Sequence, residues 1–130
     1  MVAIDTNIAV RLLVNDDPAQ TKKVVELFNS NEVFIPKTVI LETEWVLRGV
    51  YQIERVRANA AIRALLSLER VVVEDEPSLF AALDSHEKGM DFADALHLAS
   101  SQRADCFATF DSSMKTRAKK LSLLPPVTRL

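Results

Sequence analysis

The chain has 130 residues and a mass of 14.5 kDa, enough for one ordinary domain with a real core and too little for two independent ones. Its 48% apolar and 26% charged residues exclude a disordered chain. The single cysteine, Cys106, excludes an internal disulfide and a multi-thiol zinc site, and a net charge of −2 with a pI near 5.7 provides no global positive field of the kind that marks many nucleic-acid binders.

Val2 to Asp5 is a short apolar run suited to a buried strand, and Thr6-Asn7 opens a helical stretch through Leu13. Asp16-Asp17-Pro18 caps a second helix that runs to about Ser30. Val33 to Ile35 reads as a strand stopped by Pro36. Thr38 to Val50 and Glu54 to Leu68 read as helices, and Val71 to Val73 as a third strand. Pro77 begins a helix that Gly89 breaks after Glu87, and Phe92 to Gln102 forms the next. Cys106 to Thr109 is a strand, Ser112 to Lys120 a last helix, and Leu121 to Val127 an added edge strand. The expectation is an α/β fold: a single domain over 1–130 with a central, mostly parallel sheet of four to five strands flanked by helices. No apolar stretch approaches the roughly 20 residues of a bilayer crossing, and Met1 leads into Val2 without a basic, then long apolar, leader. A cytoplasmic protein with no membrane partner is therefore expected.

In open sheets of this class ligands bind beyond the carboxyl ends of the strands, so the polar residues just after each strand carry the functional question. Asp5 ends the first strand and also suits a helix N-cap. Asp111 stands in the same relation to the fourth strand, with Ser112 and Ser113 as competing caps. Asp91 suits the N-cap of the Phe92 helix, which frees Asp94, one turn in, to be a ligand. On a wheel of about 100° per residue, Glu44 and Arg48 lie together as a solvent-facing pair would. Glu42 falls between Trp45 and Val46, on an apolar stripe where a carboxylate needs a cation or donors. That nearly all-apolar helix, Trp45 included, is expected to be buried, in the core or in a dimer interface. His86 and His97, without partners at zinc spacing, read as packing or surface residues.

Each acid alone has a structural explanation, but four carboxylates converging repel one another unless divalent cations neutralise them. All-oxygen ligation selects Mg²⁺ or Mn²⁺ over zinc, and the chemistry it serves best is phosphodiester hydrolysis.

The segments "AIDTN" at 3 to 7, "VILETEWVLR" at 39 to 48, "DFADALHLA" at 91 to 99 and "ATFD" at 108 to 111 stand in order along the chain. With these four it resembles the PIN-domain ribonucleases, and among them the VapC toxins of bacterial toxin-antitoxin pairs. The resemblance implies a four-acid Mg²⁺ site on Asp5, Glu42, Asp94 and Asp111. Asp5 and Asp94 would hold the metal most directly, and Asp91 is an additional acid. Asn7 and Thr109 match positions that support the carboxylates by hydrogen bonding. The implied reaction is in-line attack of water on an RNA phosphodiester, with a carboxylate orienting or deprotonating the water. Arg11, Arg48, Lys115 and Lys119 are the candidates for RNA phosphates. The resemblance further implies a homodimer and a VapB-like antitoxin, through which alone DNA would be contacted. An RNA-processing nuclease without a toxin role and a non-catalytic PIN-like scaffold are the alternatives. A phosphoacceptor receiver domain would need two adjacent acids after the first strand, where this chain has Asp5-Thr6-Asn7.

Overall fold

A computed structural model describes all residues from Met1 to Leu130. The elements follow in the order β1 (Val2–Ala3), α1 (Thr6–Leu13), α2 (Pro18–Ser30), β2 (Val33–Ile35), α3 (Lys37–Gly49), α4 (Arg55–Leu66), β3 (Val71–Val73), α5 (Glu76–Glu87), α6 (Phe92–Ala99), β4 (Phe107–Thr109), α7 (Ser112–Lys120) and β5 (Val127–Arg129). The fold is α/β, with seven helices and five short strands, and every strand pair is parallel. The hydrogen bonds group these strands as three and two, in the orders β1-β2-β3 and β4-β5. The chain divides into two compact units, Met1–Asp75 and Glu76–Leu130.

In the first unit the central strand β2 is flanked on both edges, with Val33 opposite Val2 and Val71 in register. Val33 and Ile35 are fully buried there, as strands without a solvent face require. The helices contribute Ala9, Val10, Val24, Ile40, Leu47, Ala58 and Ile62 to the core. Asp17 caps α2 by accepting from the Gln20 amide at 3.1 Å, with Pro18 at the first helical position where its missing N–H costs nothing.

Helix α3 corrects one expectation. Its inward face is Ile40, Thr43 and Leu47, whereas Trp45 is 65% exposed. Glu42 is exposed as well, so it does not intrude into a buried apolar stripe. Apolar residues surround most of this helix, and the wheel alone could not say which of them face inward.

In the second unit α5 packs on α6 through Leu79, Leu83, Phe92 and Leu96. The buried His86 ring stands edge-on to Phe92 at 5.3 Å between centroids, while His97 is exposed. After α5 the chain turns at Gly89, where φ is +105° and a Cβ would meet the Arg117 guanidinium at 3.4 Å. Glycine serves the backbone conformation. β4, α7 and β5 then form a β-α-β unit with Phe107 opposite Val127.

Two helices stop earlier than periodicity suggests. α4 ends at Leu66, where the Ser67 amide is shared between the Arg63 and Ala64 carbonyls at 3.0 and 3.2 Å and the Ser67 hydroxyl also donates to that of Arg63 at 2.7 Å. α6 ends at Ala99, where Ser101 donates to the His97 carbonyl at 2.7 Å and Gln102 to that of Leu98 at 3.1 Å. In α6 these side chains satisfy terminal carbonyls that another turn of helix would have used. The last strand is Val127–Arg129 rather than Leu121 to Val127. Pro125 and Pro126 have no N–H to give to a ladder, so pairing begins after them.

Candidate metal centre

In the first unit the chain leaves β1 through Ile4, whose amide donates to the Phe34 carbonyl at 3.2 Å, and enters α1 at Asp5. Asp5 is the N-cap: its Oδ1 accepts from the Ile8 amide at 3.1 Å. The next residue, Thr6, is buried and donates its hydroxyl to Oε1 of Glu42. Glu42 is thereby tied to the residue that follows Asp5, at the end of α1 where unpaired N–H groups favour negative charge. Asn7, one of the two residues to which the resemblance gives a supporting role, is exposed and lines the same cavity as Asp5. The hydrogen bond to Glu42 belongs to Thr6. The signal was present in "AIDTN": adjacent helical positions point about 100° apart, so when Asn7 faces solvent Thr6 can face α3.

In the second unit the charges of Asp91 and Asp111 both act on Asp94. Asp91 caps α6, its Oδ2 accepting from the Asp94 amide at 3.1 Å. Asp111 caps α7, its Oδ1 accepting from the Ser113 and Met114 amides at 2.8 and 3.1 Å. Thr109 supports Asp111 through the main chain, its hydroxyl accepting from the Asp111 amide at 3.0 Å. Asp94 caps nothing. Partial burial first, and then the charges of Asp91 and Asp111, raise its pKa above the ordinary aspartate value, while His97 acts in the opposite direction. A carboxylate loaded in this way is one that a nearby cation relieves.

Asp5, Asp91 and Asp111 are therefore all caps, as their positions suggested. Capping does not exclude ligation, because each cap bond occupies only one carboxylate oxygen. No three His, Cys, Asp or Glu side chains are grouped closely enough to hold a metal ion as they stand. The donor chemistry nonetheless fits a hard divalent cation: the candidates are all carboxylates, and in the second unit they repel one another.

Arg11 is a poorer phosphate candidate than its sequence position implied. Its guanidinium bridges Asp16, donates to Gln20 Oε1 at 2.8 Å and to the Tyr51 hydroxyl at 3.2 Å. Tyr51 donates in turn to Asp16 at 2.8 Å. This network raises the Arg11 pKa, chiefly through the Tyr51 hydroxyl, and the same hydroxyl leads in lowering that of Asp16. Arg48 is half-buried, and Lys115 and Lys119 are exposed on α7.

The sequence matches the PIN domain family over residues 2–120. No curated protein matches it. No helix is long and apolar enough to cross a membrane.

Proposed function

The chain belongs to the PIN domain family, whose members are generally metal-dependent nucleases, and from that premise we propose that it is an endoribonuclease using Mg²⁺ or Mn²⁺. Its working carboxylates are Asp5, Glu42, Asp94 and Asp111, with Asp5 and Asp94 nearest the metal and Asp91 assisting. We assign it the toxin role of a toxin-antitoxin pair, acting as a homodimer held in check by a VapB-like antitoxin.

The observation that carries the nuclease reading is the loading of Asp94 by burial, Asp91 and Asp111. A fold that needed Asp91 and Asp111 only as caps gains nothing from a third, repelled carboxylate between them in sequence. When bound, a divalent cation offsets this repulsion, stabilises charge on the phosphate and lowers the pKa of water. The chain's own contribution is orientation. Helix amides fix one oxygen of Asp5, Asp91 and Asp111, leaving the other to face solvent or substrate. Thr6 fixes Glu42, and Asp94, which caps no helix, keeps its carboxylate for the metal.

The test is cleavage of total cellular RNA by the purified protein with Mg²⁺, with Mn²⁺ and with EDTA, beside Asp94→Asn, with product ends sequenced. Discrete metal-dependent cuts that vanish in the variant are expected. Equal inertness of wild type and variant across metals and RNA pools would overturn the catalytic reading in favour of a scaffold. Growth arrest on expression, absent with Asp94→Asn and relieved by the product of a neighbouring gene, checks the toxin role; light scattering checks the dimer.

A further inference from the structure

Helix α7 presents two unlike faces. Ser112, Ser113, Thr116, Arg117 and Lys120 line a polar groove of about 340 Å³, where hydroxyls and cations suit a phosphate chain. The other face closes a cleft of about 400 Å³ against the segment that returns to β5. Its lining includes Ala118, Leu123, Leu124 and Val127 together with Lys115 and Lys119.

Leu124 is 66% exposed, and neither the Arg11–Asp16 nor the Lys37–Asp75 ion pair involves these lysines. From Ser112 to Leu130 the sequence has five cations and no acid. The two ammonium groups lie four residues apart on one helix, on the same side. A nucleic-acid backbone would satisfy them and leave the apolar lining wet. A ligand that brings apolar groups and carboxylates together satisfies both parts of the surface.

We propose that the cleft between α7 and residues 122–127 is a docking site for an acidic amphipathic segment of a partner protein. Its apolar side chains would cover Leu123, Leu124 and Val127, and its carboxylates would meet Lys115 and Lys119. The cleft holds none of the candidate carboxylates, and the proposal gives Lys115 and Lys119 a protein partner in place of the RNA phosphates expected from the sequence.

The experiment titrates the full-length chain with a synthetic helical peptide of leucines and glutamates, with its Lys-for-Glu counterpart and with a single-stranded oligoribonucleotide, following backbone amide shifts by NMR. The glutamate peptide is expected to shift Ala118, Leu123, Leu124 and Val127. Leu124→Asp, and separately Lys115→Glu with Lys119→Glu, should each weaken it by about tenfold without moving the melting temperature. Absence of shifts in the cleft, equal binding of the lysine peptide, or unchanged affinity in the variants would overturn the proposal. So would an oligoribonucleotide that moves these amides where the glutamate peptide does not, which would make the cleft a phosphate surface. Concentration-dependent shifts of the same amides without any ligand would assign it to a second copy of the chain, and overturn it too.

Discussion

The two units treat their carboxylates differently. In the first, Asp5 is pinned by the Ile8 amide and Glu42 by the Thr6 hydroxyl, so each acid has a protein donor. In the second, Asp91 and Asp111 are pinned as caps while Asp94 is loaded by burial and by their charges. Donors within the fold can steady an anion, whereas a cluster of like charges is relieved by protonation or by a cation. The acids of the first unit are therefore held by donors, and Asp94 in the second is the one left under unrelieved repulsion.

Asp94→Asn presses hardest on that contrast. It removes the loaded carboxylate and should lower single-turnover RNA cleavage by about 10²-fold or more, while circular dichroism stays native. Mg²⁺ should raise the melting temperature of the wild type and leave this variant nearly unmoved. A variant still stabilised by Mg²⁺ would show that metal binding does not rest on Asp94. Thr6→Val is the matching change in that unit. It leaves Glu42 without its donor and should cost about 1 kcal/mol by denaturant titration, with cleavage down by about tenfold; Thr6→Ser should restore both.

Thr43 offers a change of opposite sign on the inner face of α3. Its hydroxyl is fully buried with no hydrogen-bond partner, so Thr43→Val should stabilise the protein by about 1 kcal/mol, with no loss of cleavage. The smallest effect is a pH dependence. Asp94 has a pKa raised from 3.8, so the native state holds its proton more tightly than the unfolded chain. Its contribution to stability is then present at low pH and is lost as pH rises from about the unfolded value through the folded one. Partial exposure limits this to a fraction of a kcal/mol, and Asp94→Asn should flatten that part of a stability profile measured between pH 3 and 7.

Much of this layout was legible because it rests on local rules. The capping roles of Asp5, Asp17, Asp91 and Asp111 follow from an acid placed just before a helical run, and helices α1 and α7 begin and end where the sequence puts them. What could not be read depends on partners distant in sequence. The commitment of Arg11 to Asp16 and Tyr51 requires residue 51 to return beside α1. The inward face of α3 is set by what packs on it. A helix carrying Val39, Ile40, Leu41, Trp45, Val46 and Leu47 has no single apolar stripe, and the buried side proves to include a threonine. The division of ladders into three and two strands likewise depends on pairing, which strand propensity does not specify.

The capping role of these aspartates bears on how such a protein changes over time. Asp5, Asp91 and Asp111 each start a helix, and replacing a cap with alanine costs about 1 kcal/mol whatever becomes of catalysis. A lineage that stopped cutting RNA would still be held to Asp, Asn or Ser at those three positions. Asp94 starts nothing and is repelled where it stands, so relaxed selection would lose it first. Survival of the three caps is thus weak testimony to activity, and the residue at position 94 is the one that reports it.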